Sequence, residues 1–257
     1  MKKIIWETQL TDADKKSVLE LQKRIETNRN IYHKVDIGFV DKVNDYTQHL
    51  LYWNDGQLLG YAYLINFDPE VVEVSFMVDE KDGYETLLQE IEKMFVGKEI
   101  ETIVDQNDSF LRNLVSSKYE FSEKYMLLPM NVNYEQVVKL QPATTDDISS
   151  LTVLLDREPT LESLKNIMIY KIDDELVATI NLENSDDNWG IYGFVVAESQ
   201  RGKGIGKKVI TSAIALLQDK KPKSIYLEVE TENTPAVKLY EGLGFQTRNQ
   251  FDYYTDS

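Results

Sequence analysis

Apolar residues recur at steps of three and four in some stretches and crowd or alternate in others, dividing the chain into helices and strands. From Gly204 onward, Ile205, Val209, Ala213 and Leu217 return every four residues, with Ile210 and Ile214 beside them. That is the stripe of a helix packed along one face. Residues 189–196 are apolar nearly throughout, as a strand covered on both sides would be. Residues 167–172 and 175–181 predict strands around a turn at Asp173-Asp174, and 224–230 is a strand by composition. Ahead of these, 140–143 predicts a short strand. Thr144-Thr145-Asp146-Asp147 then offers capping residues to a helix carrying Ile148, Leu151, Val153, Leu154 and Leu155. Residues 235–243 predict a short helix with Pro235 in its first turn, where a missing N–H costs little. Gly242 and Gly244 stop it, and Phe245 with 251–254 predicts a closing pair of strands.

The first half repeats this order. Residues 3–7 are strand-like, and 17–25 form a helix carrying Val18, Leu19, Leu21 and Ile25. Residues 49–53 and 57–65 read as a hairpin about Asn54-Asp55-Gly56, followed by a strand at 71–78. Tyr84, Leu87, Leu88, Ile91 and Phe95 make a helical stripe. A strand at 101–104, a helix at 110–115 and strands at 119–121 and 125–130 close the unit. Two halves with one order of elements point to an internal duplication with diverged sequence. The expected architecture is α/β (α+β): two tandem domains, 1–130 and 131–257, each a mixed, mostly antiparallel sheet flanked by helices. The chain of 257 residues suits two such units of about 125 each. A single large α/β domain is the alternative.

Composition narrows the chemistry. The net charge of −16 works against nucleic-acid binding, which needs a basic face. An acidic surface attracts cations such as amines, although acidity also simply aids solubility. There is no cysteine, which excludes disulfides, thiolate metal sites and a cysteine nucleophile. His33 and His49 are too few for a histidine-based metal site and read as surface or half-buried imidazoles, so no metal is expected. No apolar run is long enough to span a bilayer, and the first residues lack the sustained apolar region of a signal peptide. A cytoplasmic protein with no membrane partner is expected.

One junction reverses the sign of the chain. Phe194-Val195-Val196-Ala197-Glu198-Ser199-Gln200-Arg201-Gly202-Lys203-Gly204-Ile205-Gly206-Lys207-Lys208 runs from a strand into a helix with three alternate glycines and four cations. Glycine lets backbone approach a ligand closely. The first N–H groups of a helix lack internal partners and carry partial positive charge, so such a place binds phosphate. The P-loop pattern is absent, and G-x-G-x-x-G fails because its last position is Lys207 or Val209. A solvated glycine-rich turn is the bland alternative.

Arg201, Gly204 and Gly206 fill the fixed positions of [QR]-x-x-G-x-[GA]. The stretch therefore resembles motif A of the GCN5-related N-acetyltransferase (GNAT) superfamily. Tyr226-Leu227-Glu228-Val229-Glu230, then Asn233, Ala236, Leu239-Tyr240 and Leu243-Gly244-Phe245, resemble its motif B at the expected distance. The resemblance covers roughly 191–245. It implies a sheet splayed between its fourth and fifth strands, with acetyl-CoA in the splay. The backbone of Phe194, Val195 and Val196 is then expected to pair with the pantetheine arm. Arg201, Gly202, Lys203, Gly204, Ile205, Gly206 and Lys207 are expected to hold the pyrophosphate, with Asn233 near the pantetheine.

The family usually transfers acetyl directly from thioester to amine, which needs a proton acceptor for the amine and a donor for the leaving thiolate. The resemblance makes Tyr240 the candidate acid. Asn233 and Tyr240 are seven apart, close to two helical turns. Glu228, twelve residues before Tyr240, matches the glutamate of ribosomal-protein N-terminal acetyltransferases. Glu230 lies on the same strand face, and a water chain is the alternative base. The equivalent junction of the first half, Val78-Asp79-Glu80-Lys81-Asp82-Gly83-Tyr84-Glu85, has one glycine and is mostly acidic, and aligning Phe121 with Phe245 puts Ser116 where Tyr240 stands. That half reads as degenerate, a scaffold or substrate wall. The expected acceptor is a small-molecule primary amine. A peptide N-terminus, or a CoA-sensing role without catalysis, is the alternative, and the sequence leaves the oligomeric state open.

Overall fold

The computed structural model describes residues 2–35 and 46–255. The chain divides into two compact units: 1–123 with 249–257, and 124–248.

The first unit opens with β1 (Lys2–Glu7) and α1 (Asp12–Arg29). Thr11 caps α1 by accepting from the Asp14 N–H at 3.2 Å, and Asn30 ends it in the left-handed region that asparagine tolerates. Then come β2 (Thr47–Asn54), β3 (Gln57–Ile65), β4 (Val71–Val78), α2 (Lys81–Met94), β5 (Glu99–Asp105) and α3 (Ser109–Leu114). Their sheet runs β1-β2-β3-β4-β5 and is completed by the chain's last strand, β12 (Gln246–Thr255). Every pairing is antiparallel except β4 with β5. Alternate residues face opposite sides. Leu50, Ala62, Val74 and Phe76 pack with Tyr84, Leu87 and Ile91 of α2, while Leu51, Tyr61, Tyr63 and Met77 meet Leu21 and Ile25 of α1.

The second unit contains the end of β6 (Lys118–Leu127), then β7 (Gln141–Pro142) and α4 (Ile148–Leu155). It continues with β8 (Ile167–Ile172), β9 (Glu175–Ser185), β10 (Asn188–Val196), α5 (Ile205–Gln218), β11 (Ser224–Glu230) and α6 (Thr234–Glu241). Its sheet order is β6-β11-β10-β9-β8-β7, with β10 and β11 parallel and β10, β9, β8 and β7 antiparallel in succession. Val209, Ile210, Ala213, Ile214 and Leu217 of α5 lie against Ala178, Ile180, Leu182, Ile191, Ile225 and Leu227. Leu151 of α4 packs with Leu164, Ile167 and Ile169 on the other side.

The sequence expectation of a closing strand pair in each half differs from the structure. One long strand, β6 or β12, stands in each place, and the division between units falls inside both strands rather than at 130/131. The chain's end therefore belongs to the first unit, where Phe251–Thr255 pair with 101–105 and Asn249 Nδ2 donates to the buried Asp105 carboxylate at 2.8 Å. A second expectation also changes. His49 is fully buried, not half-buried, and burial lowers its pKa to about 4, so it is neutral with Nδ1 2.8 Å from the Tyr61 hydroxyl.

Glu73 and Glu101 are register partners on the parallel strands β4 and β5. Burial first, then the neighbouring carboxylates of Glu73 and Glu123, raise the Glu101 pKa to about 7, and Lys34 partly offsets this. A folded-state pKa above the unfolded one means that stability is present below about pH 4.5 and is lost as the pH rises through 7. Glu101→Gln removes that loss. After discounting for solvent screening of a half-exposed group, the variant is expected to be about 1–2 kcal/mol more stable than wild type at pH 8, and no more stable at pH 4. Urea midpoints at the two pH values measure the difference.

Candidate active site

The second unit is organised around a break in its parallel strand pair. β10 and β11 pair from Asn188↔Ser224 to Ile191↔Leu227 and no further. On the other side of β10 the register with β9 shifts between Tyr192 and Val195, a bulge. Gly193 sits in it at φ +51°, a conformation costly for a residue with a Cβ. A bulge bends its strand, and the pairing between β10 and β11 ends where this bulge begins. Val195 and Val196 resume pairing with Thr179 and Ala178 of β9, while the edge of Phe194, Val195 and Val196 that faces β11 has no ladder. Backbone polar groups along that edge are available to an extended ligand.

The junction beyond β10 passes through a short 3₁₀ turn at Glu198–Gln200 and enters α5 at Gly204. Gly202 and Gly204 have φ of +74° and +75°, and a Cβ on either would meet nothing within 4 Å. Their conformation requires glycine, and the space beside them is open. No side chain caps α5 and its first turn holds no acid, so among the described residues the N–H groups of Ile205, Gly206 and Lys207 have no partner. Lys203, Lys207 and Lys208 are exposed. This is a ready cradle for a diphosphate.

Two of the residues expected to touch a ligand also have local work. Arg201 Nε donates to the Val196 carbonyl at 3.0 Å, tying the junction to the end of β10. Gly206 is half-buried, and a Cβ there would lie 3.3 Å from Leu239 Cδ2 and 3.5 Å from Phe194 Cζ. Its smallness lets α5 approach α6 and β10, a packing role that a phosphate motif does not disclose. Asn233 is the exposed N-cap of α6, its Oδ1 accepting from the Ala236 N–H at 3.3 Å. That leaves its Nδ2 as the group for a ligand.

Tyr240, in the last turn of α6, is buried at 7% exposure among the side chains under α5, with its ring edge-on to Phe245 at 6.0 Å. Burial raises its pKa to about 12, so the phenol stays protonated at neutral pH. It can donate a proton or hydrogen bond and cannot serve as a resting base.

Of the opposite face of the same strands, the sequence singled out only Glu228 and Glu230. Leu182, Ile191, Ile225, Leu227 and Val229 face α5, so Asn181, Glu183, Tyr192, Tyr226 and Glu228 face the other way. Register places Glu183 opposite Gly190 and Gly190 opposite Tyr226, with Asn181 opposite Tyr192 in the adjoining row. The Tyr192 hydroxyl donates to that of Tyr226 at 3.0 Å, and their rings meet edge-to-face at 6.1 Å. Tyr125 of β6 lies 5.4 Å from the Tyr226 ring. Burial above all, then Tyr226, Glu228 and Glu183, pushes the Tyr192 pKa far upward. Both carboxylates are thus near its hydroxyl. The available sequence signal was Tyr192, Tyr226 and Glu228 alternating with apolar neighbours, but only register brings them together.

At the corresponding junction of the first unit, β4 passes into α2. A cavity of about 370 Å³ there is lined by Arg24, Asp79, Glu80, Asp82 and Gly83, among others. Its cations are already paired: Arg24 with Asp79, and Lys2 with Asp82 at 2.8 Å. The β3–β4 register is unbroken, so there is no bulge. Among the described residues, no group of three or more His, Asp or Glu is placed to hold a metal ion, and no helix is long and apolar enough to cross a membrane.

A parallel strand pair that parts at a bulge, beside a glycine-opened helix N-terminus, is the arrangement the sequence resemblance leads one to expect. Residues 137–245 match the family described as Acetyltransferase (GNAT) family, so the second unit carries a domain of that type. It is 43% identical over 67 residues to N-alpha-acetyltransferase 30 of Saccharomyces cerevisiae, covering 25% of this chain and 38% of that protein. It is 38% identical over 72 residues to the spermine/spermidine N(1)-acetyltransferase of Bacillus subtilis, covering 28% and 47%. The chain thus spans less than half the length of these two relatives. Among solved structures, a GCN5-related N-acetyltransferase from Sphaerobacter thermophilus matches with TM-score 0.77 and 13% identity, over 98% of this chain and 95% of that one. A tandem GNAT protein from the clavulanic acid biosynthesis pathway matches with TM-score 0.71 and 10% identity, over 99% and 98%. At these identities the structural likeness concerns fold.

Gly190 lets the Tyr192 ring lie across the strand, since a Cβ there would fall 2.3 Å from Tyr192 Cε2. Gly190→Ala is expected to destabilise the protein by about 1–3 kcal/mol through this overlap. The same change in a Tyr192→Ala background should cost much less. A double-mutant cycle of urea unfolding tests this, and equal costs in both backgrounds would disprove the ring's position.

Proposed function

We propose that the second unit is an acetyl-CoA-dependent N-acetyltransferase acting on a primary amine of a small molecule. The carrying observation is the uncapped N-terminus of α5 beside the bared edge of β10, with Tyr240 in the apolar cluster that packs under α5. These residues fit acetyl-CoA. Ile205, Gly206 and Lys207 offer N–H groups to its pyrophosphate, and Arg201, Gly202, Lys203 and Gly204 shape and charge the cradle. The edge of Phe194, Val195 and Val196 receives the pantetheine as an added strand, and Asn233 Nδ2 reaches its amide region. When bound, acetyl-CoA supplies a thioester carbonyl open to attack by an amine.

The chain's own groups then handle two protons. Glu228, on the face away from α5, takes the proton from the acceptor ammonium, directly or through water, and leaves the nitrogen lone pair free. The nitrogen–carbon bond forms as the carbon–sulfur bond breaks. N–H groups on the bared edge of β10 face the charge growing on the carbonyl oxygen. Tyr240, on the α5 side and protonated at working pH, gives its proton to the leaving thiolate, while the second nitrogen proton, lost once the nitrogen–carbon bond has formed, passes to solvent, from which the phenolate is reprotonated.

A protein N-terminal acetyltransferase is the second reading. The similarity to the yeast N-alpha-acetyltransferase favours it, since the matched stretch is highly identical though short. A panel of amines and peptides with a thiol-release readout separates the two readings. Faster turnover on peptides than on any small amine would overturn the first.

Tyr240→Phe is expected to leave acetyl-CoA affinity within about two-fold of wild type and to lower kcat by about ten-fold or more. Stopped-time thiol release and calorimetry measure the pair, and unchanged kcat removes Tyr240 from the reaction. The first unit, with its junction cations already paired to Asp79 and Asp82, is proposed to bind no CoA. Calorimetry should therefore give one equivalent of CoA per chain, and two equivalents would refute this asymmetry.

A further inference from the structure

The strands beside the opening carry several carboxylates and no cation of their own. β9, β10 and β11 together contain Glu175, Glu183, Glu228 and Glu230 and not one lysine or arginine. On the face away from α5, Glu183 and Glu228 flank the hydroxyl-linked pair Tyr192 and Tyr226, with Tyr125 beside them. Aromatic rings next to carboxylates favour an ammonium group, through the ring quadrupole as well as charge. One further atom calls for a donor. Asn181 Nδ2 is committed to Glu183 at 2.6 Å, and its Oδ1 is buried with no hydrogen-bond partner among the described residues.

We propose that this face selects an acceptor with two ammonium groups, an aliphatic diamine or polyamine, and that Glu183 with the tyrosine rings holds the end that is not acetylated. The inference rests on the acetyl-transfer reading above and adds the substrate class. Its geometry comes from register. Glu183 is two strands across from Tyr226, and Glu228 is two residues further along β11. With ordinary strand spacing and rise, the Cα atoms of the two glutamates are about 12 Å apart. The side chains stand off the same face, so a ligand with nitrogens about 6 Å apart and a hydrogen bond of about 3 Å at each end spans the gap, and Tyr192 lies between the two carboxylates and feels both. Putrescine, whose nitrogens are about 6 Å apart by ordinary bond lengths, suits such a pair. In this pose Glu228 meets the reacting nitrogen, and Glu183 with Asn181 Oδ1 meets the distant one. Glu183 is thus a specificity-determining residue and takes no part in the proton transfers.

The test is binding, measured apart from turnover. Putrescine and butylamine are titrated calorimetrically into the full chain saturated with CoA, which has no acetyl group to transfer. Wild type is expected to bind putrescine at least ten-fold more tightly than butylamine. Glu183→Gln should bring putrescine down to the butylamine level, with CoA affinity and melting temperature unchanged. Tyr226→Leu, as a second variant, should weaken putrescine several-fold. Equal affinities in wild type, or a ten-fold preference that survives in Glu183→Gln, overturns the proposal. Preferential putrescine binding without acetylation in a parallel assay would keep this site and sink the transfer reading. Acetylation of butylamine and putrescine with equal KM would keep the transfer reading and sink this site.

Discussion

Everything distinctive about the second unit follows from the point where β10 and β11 stop pairing. Parallel strands ordinarily continue their ladder, because each unmade backbone hydrogen bond leaves polar groups to be satisfied elsewhere. Here the ladder ends at Ile191↔Leu227, and the bulge on the β9 side begins at the next residue, with Gly193 in a left-handed conformation. The strand turns outward and keeps its hold on β9 through Val195 and Val196. It thereby delivers the chain to the Gly202–Gly204 turn, and so to an uncapped helix. The opened edge and the unsatisfied N–H groups of α5 form one continuous run of unmet hydrogen-bonding capacity. The first unit supplies the contrast. It has the same parallel pair, β4 with β5, but an unbroken β3–β4 register and an acidic junction with its cations already paired.

The opening also places two kinds of surroundings on opposite sides of one sheet. Tyr240 lies with the apolar side chains under α5, where burial keeps its phenol protonated. Glu228 lies on the polar face with Tyr192 and Tyr226. The sheet thus sets a buried phenol on one side and a carboxylate-bearing polar face on the other, the two sides to which the proposed proton donor and acceptor are assigned.

Part of this was legible in the sequence. The glycines at 202 and 204 announced a backbone that only glycine adopts, and the stripe from Ile205 to Leu217 announced the helix behind it. Gly206 carried the same signature for another reason, since its hydrogen faces Leu239 and Phe194, and a one-dimensional pattern does not separate approach to a ligand from approach to a neighbour. The acceptor face was illegible because it is a product of register. Glu183, Gly190 and Tyr226 are remote in sequence and meet only when three strands align. The exchange of the last strand was hidden for a related reason. β12 mixes polar and aromatic residues, and nothing in its composition names the edge it joins. Asp105 supplies that information, as a buried carboxylate that needs the amide of Asn249.

A negatively charged acceptor face carries a cost for amine chemistry. It draws cations in, yet it also stabilises the ammonium form, which cannot attack a thioester. A monoamine bound beside Glu183 and Glu228 would hold its proton more tightly than in water. A diamine meets the difficulty differently. While Glu183 keeps the far end charged, like-charge repulsion along the short carbon chain lowers the pKa of the near end, and Glu228 has to take only the more weakly held proton. On the proposed reading, the charge that recruits the substrate is met by one nitrogen and the chemistry proceeds at the other. That division of labour needs two carboxylates set apart by more than one strand, which is the arrangement that β9, β10 and β11 provide.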